Sequence, residues 1–169
     1  KEFLKKYSEG RKTVESKIIE AISSDERLKR KIKTPLMLSR LIEIVKSDGE
    51  IPPNEGLIID KFIQSLYKRE IVEKKDARFD DKNIHRMLAH LAAYSLDEKG
   101  TNAGLTENEI LNSFLRCKKE YGFEIDVTYV LEISTQLNLL EKYDDKFVFA
   151  HQSYQDYYNS EYERMILGI

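Results

Sequence analysis

A histidine placed between an aromatic strand and a helix is the most chemically suggestive arrangement in this chain. Phe147-Val148-Phe149-Ala150-His151-Gln152-Ser153-Tyr154-Gln155-Asp156-Tyr157-Tyr158 alternates its phenylalanines as a strand does, then turns into a tyrosine-rich helix. His151 therefore falls at a helix N-terminus. Exposed backbone N–H groups and the positive end of the helix dipole favour phosphate there, and an imidazole adds a donor. An isolated histidine also has a plain structural reading, as a cap or a packing group. Tyr154, Tyr158 and Tyr162 recur every fourth residue, so they read as a core stripe with wet hydroxyl tips. A base-stacking platform needs interleaved Arg or Lys, and only Arg164 lies near these tyrosines in sequence.

Other combinations fall short of chemistry. Ser153, His151 and the many acids supply the letters of a catalytic triad, but no nucleophile-elbow pattern accompanies them. His85 and His90 are five residues apart, about 140° around a helix, so they are predicted to diverge rather than share a zinc ion. Leu57-Ile58-Ile59-Asp60 imitates a strand ending in a metal-binding aspartate, yet Phe62, Ile63 and Leu66 keep a helical period across it. With seven Gly and no Gly-x-x-x-x-Gly-Lys-Ser/Thr, the chain is not a complete P-loop NTPase. No catalytic residue and no metal ligand is assigned. Cys117, the one cysteine, reads as an ordinary helix residue and fits a reducing compartment.

Composition frames these residues. The 169-residue chain is 41% hydrophobic and 34% charged, poor in Gly and Pro, as a soluble helix-rich protein is. Its formal charge of -2 gives no general attraction for polyanions. Residues 1–33 carry 11 Lys or Arg against 6 Asp or Glu, and the rest carries 17 against 24. The Arg27-Leu28-Lys29-Arg30-Lys31 run reads as a solvated helical face. No apolar run reaches the roughly 20 residues a membrane span requires, and no signal-peptide core is present, so a cytoplasmic location is expected. The chain has no initiator Met and stops just after a helix, so it is expected to be a piece of a longer polypeptide.

The positioning elements are mostly helices. A short helix is expected around Glu2 to Tyr7, then one carrying Val14, Ile18 and Ile22 on a single stripe. Ser23-Ser24-Asp25-Glu26 reads as a capping box for a short helix through Lys31. Thr34-Pro35 reads as an N-cap with Pro at the first helical position, followed by Leu38, Leu41, Ile42 and Val45 on a buried face. Asp48-Gly49 ends that helix, Ile51-Pro52-Pro53-Asn54 turns into the next, and the period of Ile59, Phe62, Ile63 and Leu66 runs to about Glu73. The charged segment Lys74 to Asp81 has no apolar period and marks a boundary.

Beyond it, Ile84, Met87, Leu88, Leu91 and Ala92 mark a helix, the Asp97 to Gly104 loop follows, and Thr106 to Glu109 reads as a capping box. Asp126 caps a third helix. Leu139 to Tyr143 and Lys146 to Phe149 are predicted strands joined by Asp144-Asp145. Three helices and a hairpin follow the winged-helix order. The expected fold is thus mainly α: a helical bundle over residues 1–76, then a winged-helix domain with a small β-hairpin over residues 77–169. The third helix, Val127 to Leu137, contains no Lys or Arg, which argues against a groove-reading DNA-binding role.

Phe149, His151, Ser153, Tyr154, Gln155 and Tyr157 resemble the Phe-x-His-x-Ser/Thr-Phe/Tyr-Gln-Glu-Tyr ending of the winged-helix domain in NACHT-type STAND nucleotide-switch proteins, with Asp156 replacing the usual Glu. Upstream, Thr34-Pro35-Leu36-Met37-Leu38 is similar to the Thr/Asn-Pro-Leu-x-Leu motif of that family's helical domain. Asp48-Gly49-Glu50 and the stretch from Ile51 to Tyr67 fit the same spacing. The resemblance implies a regulatory portion, itself no enzyme, of a larger ATPase in defence or signalling. It implies that Pro35 packs beside adenine and that His151 contacts the ADP β-phosphate, holding a closed state and controlling activation and oligomerisation. ATP or ADP and its Mg would be held mainly by an upstream nucleotide-binding domain, with none bound tightly by this chain alone. A downstream sensor domain and an activated oligomer are the further implied partners. The alternatives are a winged-helix protein-interaction adaptor and, less favoured, a DNA-binding winged helix.

Overall fold

A computed structural model describes residues 12–24, Glu26, Lys29 and 35–169. The chain divides into two compact units, Lys1–Glu73 and Lys74–Ile169. The expected helix at Glu2 to Tyr7, the Thr34 cap and most of the segment from Asp25 to Lys31 lie outside the described residues.

The first unit contains α1 (Lys12–Ser24), α2 (Pro35–Asp48) and α3 (Glu55–Arg69). Val14, Ile18, Ile42 and Val45 pack together, and Met37, Leu41, Ile44 and Ile58 form an adjoining cluster. Leu38 packs against both clusters from a partly buried position. Each fully buried aliphatic side chain contributes about 1.5–3 kcal/mol of transfer free energy, so these stripes hold the helices together. Gly49 follows α2 at φ 76°, a left-handed conformation that glycine adopts without a Cβ clash. Lys17 Nζ donates to Gly49 O at 2.7 Å, tying α1 to that turn. Asn54 caps α3, its Oδ1 accepting from Leu57 N at 3.0 Å. Leu57 to Asp60 are helical, as the apolar period requires.

One local expectation needs correction here. Ser23 and Ser24 belong to α1, and Ser24 Oγ donates to Glu20 O at 2.8 Å. The expected capping box at Ser23 therefore begins inside a helix, where the residue lacks the extended backbone of an N-cap. The regular part of α3 stops at Arg69, and Glu70–Lys74 form a π-helical turn. The helical stretch thus ends about where the apolar period placed it, with Glu70 buried and Ile71 and Val72 exposed in the wider last turn.

The second unit runs α4 (Asp81–Glu98), β1 (Leu105–Thr106), α5 (Glu107–Tyr121), α6 (Val127–Gln136), β2 (Leu140–Tyr143), β3 (Lys146–Phe149) and α7 (Gln152–Leu167). Its sheet is antiparallel with order β1-β3-β2. Leu105 pairs with Phe147, and Leu140 pairs with Phe149. The hairpin forms where expected, with Asp144 at φ 55° in its turn. β1 was not expected: two residues are too few to show alternation, and Leu105 finds its partner Phe147 42 positions along the chain.

Caps set the helix starts of this unit. Asp80 Oδ1 accepts from Asn83 N at 3.1 Å to open α4. Thr106 and Glu109 form the reciprocal box at α5: Glu109 N donates to Thr106 Oγ1 at 3.3 Å, and Thr106 N donates to Glu109 Oε2 at 2.8 Å. Asp126 Oδ1 accepts from Thr128 N at 2.9 Å to open α6. Ile84, Met87, Leu88, Leu91, Phe114, Val130 and Leu139 fill the core. Among the described residues, no helix is long and apolar enough to cross a membrane.

Candidate functional site

The strand-to-helix junction is built by burial on one side and backbone geometry on the other. Phe147 and Phe149 point inward, 6% and 5% exposed, while Val148 between them is half-buried. Ala150 N donates to Leu139 O at 3.0 Å, holding the end of β3 against the start of the hairpin. His151 is the N-cap of α7, with extended backbone at φ -142° and ψ 145°. Its carbonyl accepts from Tyr154 N at 3.0 Å and from Gln155 N at 3.4 Å.

The half-buried imidazole of His151 packs edge-on against Tyr154, with ring centroids 5.3 Å apart. It makes no side-chain capping hydrogen bond, whereas Asn54, Asp80, Thr106 and Asp126 all cap their helices through side-chain oxygens. The positive end of the α7 dipole lies at this junction beside the imidazole, a field that favours negative charge.

Most neighbouring letters of the motif serve packing. Tyr154 and Tyr158 are 3% and 0% exposed, and Phe149 lies 6.0 Å from Tyr158. Tyr158 therefore has no wet hydroxyl tip; it is enclosed by α4 and β3 residues such as His85 and Phe149. Gln155 is 1% exposed, its Nε2 donating to Ser95 Oγ at 3.1 Å and its Oε1 accepting from Asn102 N at 3.1 Å. It fastens the first turn of α7 to α4 and to the loop before β1. His85 Nε2 lies 3.3 Å from Glu161 Oε2, and His90 packs 4.8 Å from Tyr162. Both histidines engage α7, through different partners. Among the described residues, no group of three or more His, Cys, Asp or Glu is arranged to hold a metal ion.

Pro35 belongs to the first unit. It is exposed and opens α2, and its carbonyl accepts from Ser39 Oγ at 2.9 Å. Met37 and Leu38 of the same motif turn into the core, whereas Pro35 is exposed. An open depression of about 390 Å³ in this unit is lined by Lys17, Glu20, Ser24, Gly49 and Ile51, with Pro35 outside its lining.

Sequence reading missed one polar cluster. Asp76 Oδ1 accepts from Arg78 N at 3.0 Å and from Arg78 Nε at 3.2 Å, and Asp76 Oδ2 accepts from Arg78 Nη2 at 3.2 Å and from Tyr129 Oη at 3.0 Å. The Arg78 guanidinium also lies 4.4 Å from the Tyr129 ring centroid. The Arg78 side chain beside Asp76, then its backbone N–H, holds the carboxyl below its ordinary value. The segment without apolar period is therefore pinned to α6. The Asp-x-Arg spacing of an Asx-turn was the available signal. Cys117 is fully buried, and burial pushes its thiol up to about 12, far from a reactive thiolate.

No protein-family model, curated protein or solved structure matches this chain.

Proposed function

We propose that this chain is the helical plus winged-helix regulatory portion of a NACHT-type STAND nucleotide switch. The observation that carries the reading is His151: an imidazole on the residue immediately before α7, at a strand-to-helix junction and not used to cap its own helix. The order α4-β1-α5-α6-β2-β3, with β1 paired to the hairpin, supports a winged helix in the second unit. The outward Pro35 at the head of α2 supports the matching role in the first.

The donor chemistry suits a nucleoside diphosphate. ADP would supply a charged diphosphate and a flat adenine. His151 donates a hydrogen bond to a β-phosphate oxygen, and the N-terminal field of α7 favours the same negative charge. Pro35 offers a rigid apolar plate to the base. A hydrogen bond to a charged group contributes about 1.5–3 kcal/mol, enough to change a closed-to-open ratio by roughly 10- to 150-fold. The work of the chain is regulation in the cytoplasm; nucleotide hydrolysis and Mg binding belong to an upstream domain, and a sensor domain and oligomer formation lie downstream in the response.

The test is His151→Ala in the longer polypeptide, read as the dissociation rate of a fluorescent ADP with circular dichroism as the folding control. Dissociation should accelerate about tenfold or more while the fold is retained. An unchanged rate would remove the central contact of the proposal. A second reading, a winged-helix protein-interaction adaptor, is favoured by exposed Arg86 on α4 and Arg116 on α5, which lie over Tyr121 and Tyr94 of the opposite helix. DNA binding has no such support, since α6 carries no Lys or Arg.

A further inference from the structure

The second unit has four arginines, and they divide into two pairs. Arg78 is ion-paired with Asp76 and Arg164 with Glu161. Arg86 and Arg116 have no carboxylate within 4 Å among the described residues. Instead, Arg86 lies over Tyr121 at 5.3 Å and Arg116 over Tyr94 at 5.2 Å, both on the seam between α4 and α5. Both arginines are exposed, and half-buried His90 packs between the two layers at 5.3 Å from Tyr121. Phe123 stacks beside Tyr121 at 6.3 Å with an interplanar angle of 20°. The ring of Tyr121 is thus already flanked by a guanidinium and a phenyl group, which disfavours stacking of a nucleobase. The seam presents two guanidiniums held by stacking, with exposed Glu120 as the acid acting on His90 and Tyr121; the guanidiniums match carboxylates.

The same unit carries the complementary group. The β2–β3 hairpin bears Glu141 on β2 and Asp144 and Asp145 in its turn, beside Tyr143, which is 72% exposed. The two flanking lysines lean back from the tip: Lys142 Nζ lies 5.5 Å from the Phe147 ring centroid, and the stem of Lys146 lies against Gly104, where an added Cβ would meet it at 3.0 Å. The tip therefore projects acids and one aromatic ring.

We propose that the hairpin tip of one copy docks on the α4–α5 seam of a second copy. Its carboxylates would pair with Arg86 and Arg116. A chain cannot satisfy its own seam at the Tyr121 end. β1 sits at the start of α5, and Tyr121 lies at the far end of that helix, about 21 Å away along its axis. The contact joins two different surfaces, so it is head-to-tail and builds rings or open chains rather than a closed twofold dimer. It involves no nucleotide, so its failure would leave the switch reading untouched.

Sedimentation equilibrium of the 169-residue chain at 10 to 500 µM, in low and high salt, reads the association. Self-association at low salt that weakens at high salt is expected. Arg86→Glu/Arg116→Glu and, separately, Glu141→Lys/Asp145→Lys should each weaken it about tenfold or more. Asp144 is left alone because its φ of 55° disfavours lysine. Mixing the two reversed proteins should restore a complex, which also shows that both remain folded. A chain that stays monomeric at 500 µM, association indifferent to both reversals, or a seam that instead binds oligo-dT in an Arg86- and Arg116-dependent manner would overturn the proposal.

Discussion

Gln155→Leu separates the structural part of the α7 motif from its proposed functional part. Leucine retains apolar bulk but neither accepts from Asn102 N nor donates to Ser95 Oγ, the two bonds Gln155 makes at 3.1 Å. Ser95 is 1% exposed, so its hydroxyl loses a partner that water does not readily replace; Asn102 is exposed, and its amide can be rehydrated. One buried unsatisfied group costs about 1–3 kcal/mol, so a loss of about 1.5 kcal/mol is expected in urea unfolding followed by circular dichroism. Removing both partners is milder. The Ser95→Ala/Gln155→Leu protein should be more stable than the sum of the single losses by about 1 kcal/mol. Hydrogen exchange supplies a local reading, because the Asn102 amide should lose protection in Gln155→Leu. A loss below about 0.5 kcal/mol with unchanged Asn102 protection would refute the assignment of Gln155 as the fastener of α7.

Two ionisable groups both lose stabilisation on acidification, in different pH ranges. Glu109 is held down to about 2, first by the Lys99 ammonium at 2.8 Å and then by Thr106 N, against an ordinary 4.5. Its folded value is the lower one, so its stabilisation is fully present above about 4.5 and fades as pH falls through about 2. Glu109→Gln should remove this acid dependence from the unfolding curve. Burial pushes the His90 imidazole below its ordinary 6.5 despite the opposing charge of Glu120. The unfolded chain then takes up that proton first on acidification, so the His90 contribution is present above 6.5 and lost as pH falls through the folded value. An NMR titration should place His90 below 6.5; a value above it would contradict the packing against Tyr121 and Tyr162.

Local chemistry was legible where a short stretch contains its own partners. The Thr106 and Glu109 box, the Asp126 cap, the Asp144-Asp145 turn and the inward Phe147 and Phe149 all depend on residues a few positions apart. The position of His151 before a helix follows for the same reason. What escaped depends on distant residues: β1 exists through pairing with β3, Gln155 through Ser95 and Asn102, and the Asp76 cluster through Tyr129 on α6. The arginines that meet aromatic rings show the same limit. Arg164 was the nearest cation in sequence, whereas the fold sets Arg86 and Arg116 on tyrosines of neighbouring helices.

The strand order β1-β3-β2 puts the hydrophobic strand in the middle, hydrogen-bonded on both sides. One outer edge is only two residues long, and the other carries exposed Glu141 and Lys142. Neither edge is a good template for an incoming strand, since brevity and charge both discourage backbone pairing with another molecule. The apolar Phe147 and Phe149 are thereby shielded from fibrillar growth, and the hairpin can stand out from the molecule without becoming a seed for aggregation.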